Sequence, residues 1–109
     1  MNWIPLENQE QLEDIKKKSK ALIFKHSTRC SISATALDRL QRQWNDTDMQ
    51  QVDAYYLDLI KYRDISNKIA EVFGVEHQSP QALLLAEGNC IYHDSHYGID
   101  YQEIKNLSV

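Results

Sequence analysis

The sequence predicts an α/β fold, a mixed central sheet flanked by helices in the order β-α-β-α-β-α-β-β-α. Three observations carry this reading. Short apolar runs such as Ala21, Leu22, Ile23 and Phe24 alternate with stretches whose apolar residues recur at helical spacing. Helical segments separate the first strands, the crossover that parallel pairing requires. The last two strands are separated only by Glu87, Gly88 and Asn89, a loop short enough for an antiparallel hairpin.

Taken in order, Trp3, Ile4 and Leu6 with Pro5 among them suit an edge strand, because proline cannot donate to a ladder. A helix starting at Glu7 or Asn8 buries Leu12 and Ile15, with acidic residues in its first turn and lysines in its last, as the helix dipole favours. The strand 21–26 follows. A second helix runs from Ser31 to about Asn45, with Ile32, Ala36, Leu37, Leu40 and Trp44 as its inner stripe. After the turn cluster 45–48, residues 51–60 read as a two-sided, central strand rich in Val, Tyr and Ile. A third helix from Tyr62 or Arg63 turns Ile65, Ile69, Val72 and Phe73 inward and stops at Gly74. Residues 75–79 connect it to the strand 81–86, and the hairpin returns through Cys90 to His93, which is expected to pack on the sheet. His96, Tyr97 and Gly98 end the hairpin. Asp100 with Glu103 opens a last helix carrying Tyr101, Ile104 and Leu107 inward.

With 109 residues, 42% of them hydrophobic and 26% charged, the chain suits a single folded domain, 1–109. The net charge of −4 argues against general nucleic-acid affinity, which needs a basic face. Lys16, Lys17, Lys18 and Lys20 form the one basic cluster and read as a solvated helix end. No apolar run reaches the length of a membrane span, and the N-terminus has no secretory signal pattern, so a cytoplasmic setting with no membrane partner is expected. In that setting Cys30 and Cys90 are expected as free thiols.

The candidate chemistry lies in the stretch 21–33, ALIFKHSTRCSIS. The apolar run breaks into Lys25, His26, Ser27, Thr28 and Arg29, and the helical period begins after Cys30, which therefore stands where a strand ends and a helix begins. Unpaired N–H groups and the aligned peptide dipoles of a first turn favour an anion, and Arg29 adds positive charge. A thiolate is such an anion, so Cys30 is the candidate nucleophile. Cys30 and Ser33 have C-x-x-S spacing: Ser33 can hydrogen-bond a thiolate but cannot form a disulfide with it. Cys90, just past the hairpin turn, falls roughly 15–20 Å from Cys30 at about 3.3 Å per strand residue, too far to resolve it.

A strand-to-helix cysteine followed by a hairpin entered through a proline resembles the thioredoxin fold. Over nearly its whole length, including KHSTRCSIS, the chain resembles the bacillithiol-system thioredoxin-like family, the monothiol bacilliredoxins. The resemblance implies an oxidoreductase whose Cys30 removes bacillithiol from mixed disulfides with client proteins, Thr28, Arg29, His26 and Ser33 supporting it. Bacillithiol and bacillithiolated proteins are the expected partners. Bacillithiol is then a co-substrate, with no permanently bound cofactor and no metal. The family often has proline where this chain has Ser31. The resemblance also implies a cis Ser79-Pro80 bond, with the Ser79 backbone pairing to an extended substrate. His96 and Gly98, near the same pole, together with the N-cap of the last helix, are candidates to hold a ligand carboxylate.

Two other classes fit the same residues: a binding module of this fold without turnover, and a redox sensor that is modified but does not act on clients. An oxyanion-reducing enzyme of this fold is disfavoured, since Arg29 is the one visible clamp residue. A monomer is expected by analogy.

Overall fold

A computed structural model describes residues 1–108, and within them the elements follow the predicted order. They are β1 (Trp3–Pro5), α1 (Glu10–Lys16), β2 (Ala21–His26), α2 (Ser31–Gln43), β3 (Asp53–Asp58), α3 (Arg63–Phe73), β4 (Gln81–Ala86), β5 (Asn89–Ser95), a 3₁₀ turn (His96–Gly98) and α4 (Tyr101–Ser108). The strands form one sheet in the order β1-β3-β2-β4-β5. β1, β3 and β2 are mutually parallel; β4 runs antiparallel to β2, and β5 antiparallel to β4. β2 is thus the middle strand, and all six of its residues are buried.

Period-2 alternation in β2 divides the core between the two faces of the sheet. Ala21 and Ile23 meet Leu12 and Ile15 of α1 and Ile65 and Ile69 of α3, together with Tyr55, Leu57, Leu83 and Leu85. Leu22 and Phe24 meet Ala36 and Leu40 of α2 and Tyr101 and Ile104 of α4, together with Ala82, Leu84 and Tyr92. The hairpin turn has φ of 50° at Glu87 and 84° at Gly88, the left-handed pair that a two-residue loop between twisted strands needs.

Several boundaries differ from the sequence expectation. α1 starts at Glu10, two or three residues late, because Asn8 and Gln11 lock the entry reciprocally: each side-chain oxygen accepts the other's backbone N–H at 3.1 Å. β3 is shorter than 51–60. Val52 closes a turn on Met49, and Asp58 leads the chain away by accepting the N–H groups of Ile60 and Lys61 at 3.2 Å. α2 ends at Gln43 with Trp44 as its C-cap, and in its first turn Ser33 is buried while Ile32 is only half-buried. In α4, Leu107 is exposed; the inward place goes to Ser108, whose hydroxyl satisfies itself on the Ile104 carbonyl at 2.6 Å. His93 is exposed rather than packed: it stands on edge strand β5, outside the core cluster that its partner Leu83 joins.

Lys25 continues the Ala21, Ile23 alternation into the α1/α3 face and is fully buried there. Burial pushes its ammonium down to about 8 from the usual 10.5. The unfolded chain therefore binds this proton more tightly, and the resulting penalty is present in full below about pH 8 and fades as pH rises toward 10.5. Lys25→Met is expected to be more stable than the natural chain by about 1–3 kcal/mol at pH 7. Urea unfolding at pH 7 and pH 10 should show that advantage shrinking at the higher pH; equal advantages would contradict it.

Candidate active site

The site forms where β2 ends and α2 begins. His26 closes β2 and is buried at 8% exposure, so it belongs to the strand and not to the loop that follows. Its ring lies 5.6 Å from that of Tyr56 and 6.4 Å from that of Phe24. Ser27 to Cys30 is a tight turn in which the Cys30 N–H donates to the Ser27 carbonyl at 3.2 Å. Thr28 and Arg29 at its tip are exposed, and Arg29 makes no ion pair among the described residues.

Cys30 is the N-cap of α2. Its φ of −114° and ψ of 120° are the extended geometry of that position, its carbonyl accepts the Ala34 N–H at 3.1 Å, and its side chain makes no cap hydrogen bond. The half-buried thiol thus heads a 13-residue helix with no acidic residue in its first turn to compete for the positive end.

Ser33 does not serve Cys30 in the way its spacing suggested. Its hydroxyl is fully buried, accepts the Ser27 N–H at 3.0 Å and lies 2.7 Å from His26 Nδ1. Burial lowers the His26 pKa, with Asp58 opposing, and Nδ1 of the ring and the Ser33 hydroxyl share one buried hydrogen bond. Ser33 therefore ties both ends of the Cys30 turn to the strand before it; its hydroxyl is already committed.

The neighbouring strand supplies the opposite wall. The Lys25–Gln81 pair is the last of the β2–β4 ladder, so one step further His26 and Pro80 come opposite each other. The Ser79-Pro80 bond is cis, Pro80 is buried, and Ser79 is partly exposed beside it. His96, with a left-handed φ of 55°, donates its N–H to the Pro80 carbonyl at 3.1 Å, and the 3₁₀ turn it opens packs against α2. The structure thus brings Cys30, His26, Ser33, Ser79, Pro80 and His96 to one pole.

Gly98 and the α4 N-terminus do not form the expected carboxylate site. Asp100 already caps α4 by accepting the Gln102 N–H at 2.9 Å, and the space a Gly98 Cβ would take is filled by the Asp94 carboxylate. Two anions there repel a third. Gly98→Ala should displace Asp94 from the Ser95 N–H it accepts at 2.7 Å and cost about 1 kcal/mol in chemical unfolding. An unchanged midpoint would contradict this crowding.

Cys90 lies at the other end of the sheet. It pairs with Leu85, which pairs with Ala21, five residues before His26 and roughly 17 Å away along β2. It faces the α1/α3 side, donates its S–H to the Tyr92 carbonyl at 3.3 Å, and burial pushes its pKa up. It cannot resolve a disulfide at Cys30 in this fold.

Comparison with known proteins decides the family. The profile of the monothiol bacilliredoxin BrxC family matches residues 4–104. The chain belongs to this family. A solved structure described by its thioredoxin fold superposes with a TM-score of 0.83 at 30% identity, covering 97% of this chain and 93% of that one. Oxidised thioredoxin of Plasmodium falciparum (TM-score 0.74, 8% identity, 99% and 100% covered) shares the fold alone. So does a thioredoxin of Malassezia sympodialis (0.73, 14%, 97% and 87%). The BrxC-family chain is therefore a thioredoxin-fold protein with a thiol redox function. Among the described residues no helix is long and apolar enough to cross a membrane.

One polar group next to this site was not foreseen from the sequence. Lys25, Ser66, His77 and Gln81 form a polar group beneath the Ser79-Pro80 segment. The signal was present: Lys25 and Gln81 keep the inward parity of Ile23 and Leu83.

Proposed function

We propose that this chain is a monothiol thiol-disulfide oxidoreductase that removes bacillithiol from mixed disulfides with client proteins. The observation that carries the reading is Cys30 at the head of α2 with a committed Ser33, not a second cysteine, one turn on. The Cys30 thiolate attacks the bacillithiol sulfur. The bond from Cys30 to bacillithiol forms as the client–bacillithiol bond breaks, and the client sulfur leaves as a thiolate that takes a proton from water. A further thiol must attack the Cys30 mixed disulfide to restore the enzyme. Cys30 attacks from the N-cap of α2, and Arg29 at the turn tip offers its charge to an acidic co-substrate. His96 and the Ser79 backbone line the approach to Cys30, and bacillithiol enters as substrate, not as a bound cofactor.

The test offers one client protein carrying bacillithiol, glutathione or coenzyme A at the same cysteine. Release from the bacillithiol form is expected to be faster by about tenfold or more, a difference of about 1.4 kcal/mol in transition-state binding. Equal rates for all three would overturn the assignment of bacillithiol and leave a general monothiol oxidoreductase.

A further inference from the structure

Three buried polar side chains converge on three consecutive residues just ahead of Ser79. Lys25 of β2, Ser66 of α3 and Gln81 of β4 are 0%, 0% and 1% exposed. The Gln81 amide donates to the Glu76 carbonyl at 3.0 Å and accepts the Gln78 N–H at 3.4 Å. Lys25 Nζ lies 3.3 Å from His77 Nδ1, and the Ser66 hydroxyl lies 3.2 Å from the same nitrogen. Lys25 also donates to the Ser66 carbonyl at 3.2 Å. An ammonium can only donate, so His77 Nδ1 is an acceptor and its ring proton sits on Nε2.

This arrangement is costly where a simpler one would hold the fold. Lys25 has no carboxylate partner among the described ion pairs, and an apolar residue in its place would pack the α1/α3 face without desolvating a charge. What the group secures is the path of the backbone at 76–78, which has no ladder of its own and leads directly into Ser79-Pro80 beside Cys30. Without these bonds the segment would be anchored only by α3 and β4 at its two ends.

We propose that Lys25, Ser66 and Gln81 form a buried clamp that fixes residues 76–78 and so positions the Ser79 backbone to receive the extended polypeptide of a client. They are positioning residues for client recognition and touch no reacting atom. The proposal rests on Cys30 acting on polypeptide disulfides, but not on which small thiol is removed.

The test uses the Cys90→Ala background, so that Cys30 is the one thiol, and a ten-residue peptide whose cysteine is joined to thionitrobenzoate. Cys30 attacks the peptide sulfur, the Cys30–peptide disulfide forms, and thionitrobenzoate leaves as a coloured thiolate. The free aromatic disulfide reagent serves as the substrate without a polypeptide. In Gln81→Leu and in Lys25→Met the half-saturating peptide concentration should rise roughly fivefold or more, the effect of losing a positioning hydrogen bond, while the rate with the free reagent stays within about twofold. Unchanged half-saturation in both variants would overturn the clamp, as would equal slowing with both substrates. A parent that does not saturate with peptide would overturn it too. Failure of bacillithiol removal in the preceding test, with saturation by peptide intact, would bear on the proposed function alone.

Discussion

Cys30→Ser should lose bacillithiol removal down to the rate without protein, and yet be at least as stable as the natural chain. The two halves have separate causes. No other thiol can stand in, because Cys90 lies at the far end of the sheet facing α1 and α3. Stability moves the other way because Cys30 holds an N-cap position without making a side-chain cap bond, and serine is among the preferred residues there. A gain of about 0.5–1 kcal/mol is expected in urea unfolding, from the serine hydroxyl accepting a first-turn N–H. A cysteine at this cap is thus retained at the expense of helix stability, as expected of a reactive residue. A variant that unfolds more easily would show that the thiol makes a stabilising contact, and would count against this description of the cap.

Ser33→Ala should be the most damaging single change near the site outside Cys30 itself. It leaves the partly buried Ser27 N–H and the buried His26 Nδ1 without their partner, an expected loss of about 2 kcal/mol. Because the turn 27–30 would then be released from α2, alkylation of Cys30 by iodoacetamide should change as well, whereas a change at an unconnected buried serine, such as Ser108→Ala, should leave it alone. Alkylation at the natural rate, with the stability loss present, would mean that Ser33 supports the fold and not the cysteine.

Much of this was legible in the chain because the signals were local. The apolar runs Ala21 to Phe24 and Ala82 to Ala86 located β2 and β4, although polar residues, Lys25 and His26 in one and Gln81 in the other, complete the strands. Cys30 at the strand-to-helix junction followed from a change of period alone. Interactions between side chains distant in sequence were not legible. Ser33 was read by its spacing to Cys30, but its hydroxyl turns to His26, seven residues back on the strand it packs against. Gly98 was read as an open backbone site, and Asp94 occupies the space beside it. Leu107 was read inward by helical spacing, but α4 closes on Ser108 instead. The clamp under Ser79 needed both the parity of Lys25 and Gln81 and the folded position of His77, and only the first was in the sequence.

The central claim is that Cys30 alone carries the transferred thiol. Intact-mass and peptide mass spectrometry of the protein, mixed with a bacillithiolated client, tests it directly. The account predicts one bacillithiol adduct, mapped to Cys30, present in Cys90→Ala and absent in Cys30→Ser, with the client returned as free thiol. No adduct on a folded protein, or an adduct mapped to Cys90, would contradict it; the former would make the chain a binding module of the thioredoxin fold.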